Sequence, residues 1–180
     1  MNLSEIPSPT SETNMSIFPN WRQFIVQQKR PDTGCIPWSF DIILRAAKIS
    51  NINLGTFQDD FDLQAKGTGN NDFSSVAAAV KNQYPHVSFV IQKFAQGDGQ
   101  KKVQSIEGRL SKQLPTLVSL TLTPTGSWHI MPVVDATTSE LILLHSVDAK
   151  GDPNLCNISK SEFVRRHDQW PGGDDIAYLA

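Results

Sequence analysis

The chain has 180 residues, of which 39% are hydrophobic and 19% charged, and a formal net charge of −2. That length suits one domain with a real core, and the charge balance argues against nucleic acid or an anionic membrane as a partner. No stretch approaches the ~20 apolar residues that a membrane helix needs.

The first 16 residues are rich in Ser, Thr, Pro and Glu and read as a flexible arm. The remainder, 17–180, reads as a single domain. The arm lacks the basic start and apolar run of a secretory signal, which points to the cytosol, where Cys35 and Cys156 stay reduced. Trp21, Phe24 and Ile25 recur at helical spacing, but the segment is short and an extended lead-in fits as well. Lys29 to Gly34 is a loop by composition. From Cys35 to Ala47 the apolar residues Phe40, Ile43, Leu44 and Ala47 recur at i, i+3, i+4 and i+7, which predicts an amphipathic helix. Pro37 fits its first turn, where a missing N–H costs nothing.

Residues 50–70 read as a loop with a short turn near Phe57 to Phe61. Asp72 caps a second predicted helix to Gln83, and Pro85 ends it. Val87 to Phe94 reads as a strand and Lys101 to Gln113 as a helix, with Val103, Ile106 and Leu110 facing in and the Lys101-Lys102 pair solvated. Thr116 to Thr123 reads as a central strand. Trp128–Val134 and Leu141–Val147 read as a hairpin around Ala136 to Ser139. Ser159-Lys160-Ser161-Glu162 is a capping box that starts a helix to about Arg166, with Ile158 as a staple. Asp174 to Leu179 adds a last strand. Helices first and an antiparallel strand cluster after them give an α+β fold.

Cys35 carries the chemistry in this reading. A thiol at a helix N-terminus meets the positive end of the macrodipole and unpaired N–H groups, which favour thiolate and can bind an oxyanion. A lone cysteine near a helix is otherwise a small buried hydrophobe. A nucleophile needs a base. His86 and His167 read as surface residues and His145 as a packed strand residue, whereas His129 opens an apolar strand, exposed enough to titrate and anchored enough to be aimed. If Asp135 pairs with Glu140, His129 lies opposite Ser146, and Asp148 is a diagonal neighbour able to fix its tautomer; a one-residue slip brings Val147 opposite instead. Asp148 also suits a turn residue. A zinc site from Cys35, His129, His145 and Cys156 has no CxxC or HxxxH spacing, and no phosphate loop occurs, so no metal or cofactor is expected.

The order Cys-helix, His-strand, Asp-ended strand resembles the papain-like cysteine peptidases. QKRPDTGCIPWSFDIILRAA (28–47) resembles that fold's Gln-loop-Cys-helix. HIMPVVDA, LILLHSVDAKGDP and ISKSEF, within 128–163, resemble the bacteriocin-processing (double-glycine leader) branch. The resemblance implies a papain-like α+β fold, with the nucleophile's helix packed on an antiparallel sheet. It also implies an oxyanion glutamine, which Gln28 or Gln27 would supply, seven or eight residues ahead of Cys35. The family has a small residue after the nucleophile, where this chain has Ile36-Pro37. The activity implied is hydrolysis of peptide or isopeptide bonds in a peptide or protein substrate through a thioester. A papain-like module that only binds a peptide, and a transferase or deamidase using the same triad, fit the same residues.

Overall fold

The computed structural model describes residues 21–180, so the N-terminal arm lies outside the described residues. Five α-helices and six strands follow in the order α1 (Cys35–Ala46), α2 (Phe57–Asp60), α3 (Phe73–Gln83), β1 (Phe89–Lys93), α4 (Gly99–Leu110), β2 (Thr116–Thr121), β3 (Trp128–Ala136), β4 (Glu140–Val147), β5 (Pro153–Ser159), α5 (Lys160–Gln169) and β6 (Asp175–Leu179). The strands form one antiparallel sheet in the order β1-β6-β2-β3-β4-β5. This is the α+β arrangement that the sequence predicts. Trp21–Gln23 is only a single 3₁₀ turn, after which the chain runs without regular structure to Cys35.

The caps explain where the helices begin. Asp72 accepts from the Ser75 N–H at 2.8 Å and starts α3, and the Ser159 hydroxyl accepts from Glu162 N–H at 3.2 Å and starts α5. Helix α1 serves two cores. Its Ile36, Phe40 and Ile43 pack with α2, α3, Leu117 and Ile130, while Trp38 and Ile42 pack with α4, Phe163 of α5 and the sheet residues Val118 and Met131. Trp38 is fully buried and donates its indole N–H to Val26 O at 2.6 Å, which ties the lead-in segment to the helix.

Two burial predictions fail. His167 is buried, not solvated; its Nε2 lies 2.9 Å from Ala95 O and its ring meets Phe94 edge-on. Lys102 is fully buried, not on a solvated face, and donates to Ser119 O at 2.7 Å and to Gly173 O. It stands one turn before Ile106, on the inward stripe of α4, so the helix period places it inside whatever its charge. Strand β5 was not foreseen: its residues 153–159 carry Asn and Cys in place of an apolar alternation, and it lies at the sheet edge, where one side needs no partner.

Candidate active site

The turn before α1 sets the nucleophile. Gly34 N–H donates to Arg30 O at 2.8 Å, and a Cβ on Gly34 would sit 2.9 Å from that oxygen, so no larger residue closes this turn without displacing backbone. A polar cluster anchors the loop from below. The buried carboxylate of Asp62 accepts from Thr33 Oγ1 at 2.7 Å, Asn71 Nδ2 at 2.7 Å and Ala65 N–H at 3.0 Å, with Arg30 3.5 Å away. Burial alone would raise its pKa; those donors and the Arg30 charge outweigh burial and hold it below the usual range. Gln58, also buried, receives Lys29 N–H at 2.9 Å and donates to Gln27 O at 3.2 Å and to Asp41 of α1 at 3.0 Å. Sequence reading missed Asp62, Asn71 and Gln58, because most partners of their side chains lie 9 to 38 positions away.

The base sits on an irregular strand. β3 and β4 pair through Val133–Leu143, Asp135–Ile142 and Ala136–Leu141, with a bulge between Val133 and Asp135. The predicted Asp135–Glu140 register is therefore wrong. The link is the three residues 137–139, closed by Thr137 N–H donating to Glu140 O at 3.0 Å while Thr137 Oγ1 accepts from Ser139 and Glu140 N–H. Beyond the bulge, residues 128–132 have no pairing partners in β4. Pro132 accounts for this. It faces Leu117 of β2 and can donate to neither neighbour, so its nitrogen turns toward the β4 side, as do the N–H groups two and four residues earlier.

Cys35 opens α1 and packs against the cluster that includes Leu117 and Ile130. Burial holds the Cys35 thiol above the ordinary 9.0, and the backbone N–H groups of Ile130, Ile36 and Cys35 itself lower it by less. The helix N-terminus thus does not yield the thiolate that the sequence suggests. His129 Nε2 lies 3.2 Å from His145 O, and its ring is 5.0 Å from the His145 ring. A carbonyl only accepts, so the proton sits on Nε2 and Nδ1 is left as the base. Burial, and secondarily the neighbouring His145, keep the imidazole below 6.5. Among the described residues no hydrogen bond joins Cys35 to His129; Ile130, which follows His129 in the chain, belongs to the cluster that Cys35 packs against.

The other two predicted site residues make contacts of their own. Asp148 is exposed, and its Oδ1 accepts from Lys150 and Asp152 N–H, both at 2.8 Å, closing the turn before β5; among the described residues no hydrogen bond joins it to His129. Gln28 donates its amide to Arg30 O at 2.7 Å and Pro31 O at 3.2 Å, within the loop that leads to Cys35. Gln27 is exposed. Among the described residues no group of three His, Cys, Asp or Glu side chains could hold a metal ion, and no helix is long and apolar enough to cross a membrane.

Set against solved structures, the chain is similar to a C39-like peptidase from Bacillus anthracis, at 13% identity and a TM-score of 0.55 over 87% of this chain and 94% of that one. It is likewise similar to the peptidase domain of Streptococcus ComA, a bifunctional ABC transporter in a quorum-sensing pathway, at 14% identity and a TM-score of 0.51 over 87% of this chain and 98% of that one. The fold is papain-like, in the C39 form. No family matches the chain by sequence, and no curated protein does. Identity this low carries the fold alone, so the chemistry has to come from the residues.

Proposed function

We propose that the chain is a cysteine peptidase-like hydrolase of peptide or isopeptide bonds, with Cys35 as nucleophile and His129 as base. The observation that supports this is that Cys35, the first residue of α1, packs against the cluster holding Ile130 of β3, the residue next to His129, whose Nε2 is held 3.2 Å from His145 O. The resting pair is neutral thiol and neutral imidazole. Proton transfer from sulfur to His129 Nδ1 therefore accompanies attack on the substrate carbonyl, when substrate closes the geometry. The tetrahedral oxyanion is received by the Cys35 N–H and by the Gln28 amide, released from the Arg30 and Pro31 carbonyls. The imidazolium then protonates the leaving amine, and water resolves the thioester. The orienting role that the sequence suggests for Asp148 passes to the His145 carbonyl, which fixes the same tautomer.

Cys35→Ala is expected to abolish turnover of peptide substrates while the melting temperature changes little, and His129→Ala to remove nearly all turnover. Retained turnover in either variant sinks the assignment. A second reading, a papain-like module that only binds peptide, draws support from the missing Cys35–His129 hydrogen bond; it predicts peptide binding by the intact chain with no turnover at any pH.

A further inference from the structure

A cavity of about 220 Å³, lined in part by Phe73 and Ile130 of the cluster that Cys35 packs against, opens between the start of α3, β2, β3 and the turn that enters β6. Trp128 and Ile130 form its β3 wall. They flank His129 in sequence and, by strand alternation, stand on the opposite face from its side chain, with the cavity-lining Ser119 paired to Ile130. Trp128 is 43% exposed, a large aromatic surface left open at the mouth. Phe73 stands among the other apolar lining residues.

The rest of the rim is acidic. Asp72, Asp174 and Asp175 line it, against Lys93 alone of the basic residues. Asp72 is committed to Ser75, whose N–H and hydroxyl each donate to it at 2.8 Å. Asp175 is not committed: its backbone is pinned to Ser119 by Asp175 N–H donating to Oγ at 2.9 Å, yet its side-chain Oδ1 is buried with no hydrogen-bond partner. A buried acceptor without a donor is costly unless something supplies one. Among the described residues, none of Asp72, Lys93, Asp174 and Asp175 forms an ion pair. The buried Lys102 lies beneath, but its ammonium is turned to the Ser119 and Gly173 carbonyls. Gly173, at φ +74, admits no side chain: a Cβ there would lie 2.7 Å from Thr121 N.

We propose that this cavity receives one arginine side chain of the peptide substrate, with Asp174 and Asp175 taking the guanidinium and Trp128 and Phe73 its flat face and aliphatic stem. The size admits one long side chain and excludes an element of secondary structure. This specificity rests on the peptidase reading above, so the test separates the two.

The full chain carrying Cys35→Ala is titrated with acetyl-Ala-Arg-Ala-amide and with the same peptide carrying citrulline, the neutral isostere, at low salt. The Trp128 indole N–H resonance reports occupancy. The arginine peptide is expected to bind at least about tenfold more tightly and to shift that resonance. Asp174→Asn, an exposed and conservative change, is expected to reduce the preference, and the Asp174→Asn/Asp175→Asn pair to abolish it. Lys93→Ala is expected to strengthen it. Equal binding of both peptides, binding that leaves Trp128 unmoved, no binding of either, or a preference that survives the double variant overturns the proposal. Turnover by the intact chain is scored separately. An arginine preference without turnover leaves this cavity assigned and removes the peptidase reading; turnover without charge preference does the reverse.

Discussion

The nucleophile and its base are held in different ways. Cys35 is held by side chains: Asp62, Thr33 and Asn71 beneath the loop, and Gln58 joining that loop to α1. His129 is held by main chain: the His145 carbonyl on Nε2, on a stretch of β3 that has no paired partner in β4. On the base side the buried side chain with a structural part is Lys102, which locks β2, the neighbour of β3, to the turn at Gly173. Side-chain support can be removed by substitution, whereas main-chain support survives most substitutions. The two halves of the site therefore differ in what damages them.

The largest effect is expected at the nucleophile end. Asp62→Ala leaves the Thr33 hydroxyl and Ala65 N–H without their acceptor and takes one of the two acceptors of the Asn71 amide, a loss of about 3 kcal/mol in urea unfolding, with activity falling alongside. Because the folded-state pKa of Asp62 is depressed, its contribution is complete above the ordinary carboxylate pKa of 3.8 and is lost as pH falls through the lower folded value. The variant's cost should therefore shrink in acid. A cost below about 1 kcal/mol at neutral pH would show that the cluster does not secure the loop.

Lys102 tests the base side. Burial lowers its pKa from 10.5 to about 7 in the folded protein. Between those values the unfolded chain holds the proton and the folded chain does not, so stability rises with pH by up to about 1.4 kcal/mol per unit. Lys102→Met lacks this gain and is expected to be more costly at pH 9 than at pH 7, as read from paired denaturation curves. A cost independent of pH would mean that Lys102 stays charged inside.

A smaller effect concerns the thiol. With its pKa held above 9.0 by burial, Cys35 is expected to react with iodoacetamide ever faster as pH rises through that value. A plateau already reached near neutrality would reveal a resting thiolate–imidazolium pair and overturn the neutral one.

The smallest effects are expected where main chain does the holding. Asp148→Asn and His145→Ala, each leaving the 145 carbonyl in place, should change turnover less than about threefold. This is far from the 10²-fold or greater losses that follow removal of a transition-state contact. A large loss in Asp148→Asn would restore Asp148 as the orienter.

Much of the fold was legible in the sequence because its signals are local. The period of α1, the Asp72 and Ser159 caps and the β-formers of β2 and β3 act between residues a few positions apart. The same locality placed Cys35 at a helix start and His129 on a strand. It did not decide the register of β3 on β4, since a bulge and Pro132 change it by amounts that alternation cannot reveal. Nor did it decide the ionisation of the thiol: the helix end is local and favours thiolate, while burial is tertiary and here prevails. Asp148 shows the same limit, because an Asx turn and a triad member look alike until the strands are paired. Asp62 and Lys102 complete the contrast. A charged residue reads as solvated until the fold supplies, from 17 and 71 positions away for Lys102 and from 29 for Asp62, the partners that let it be buried.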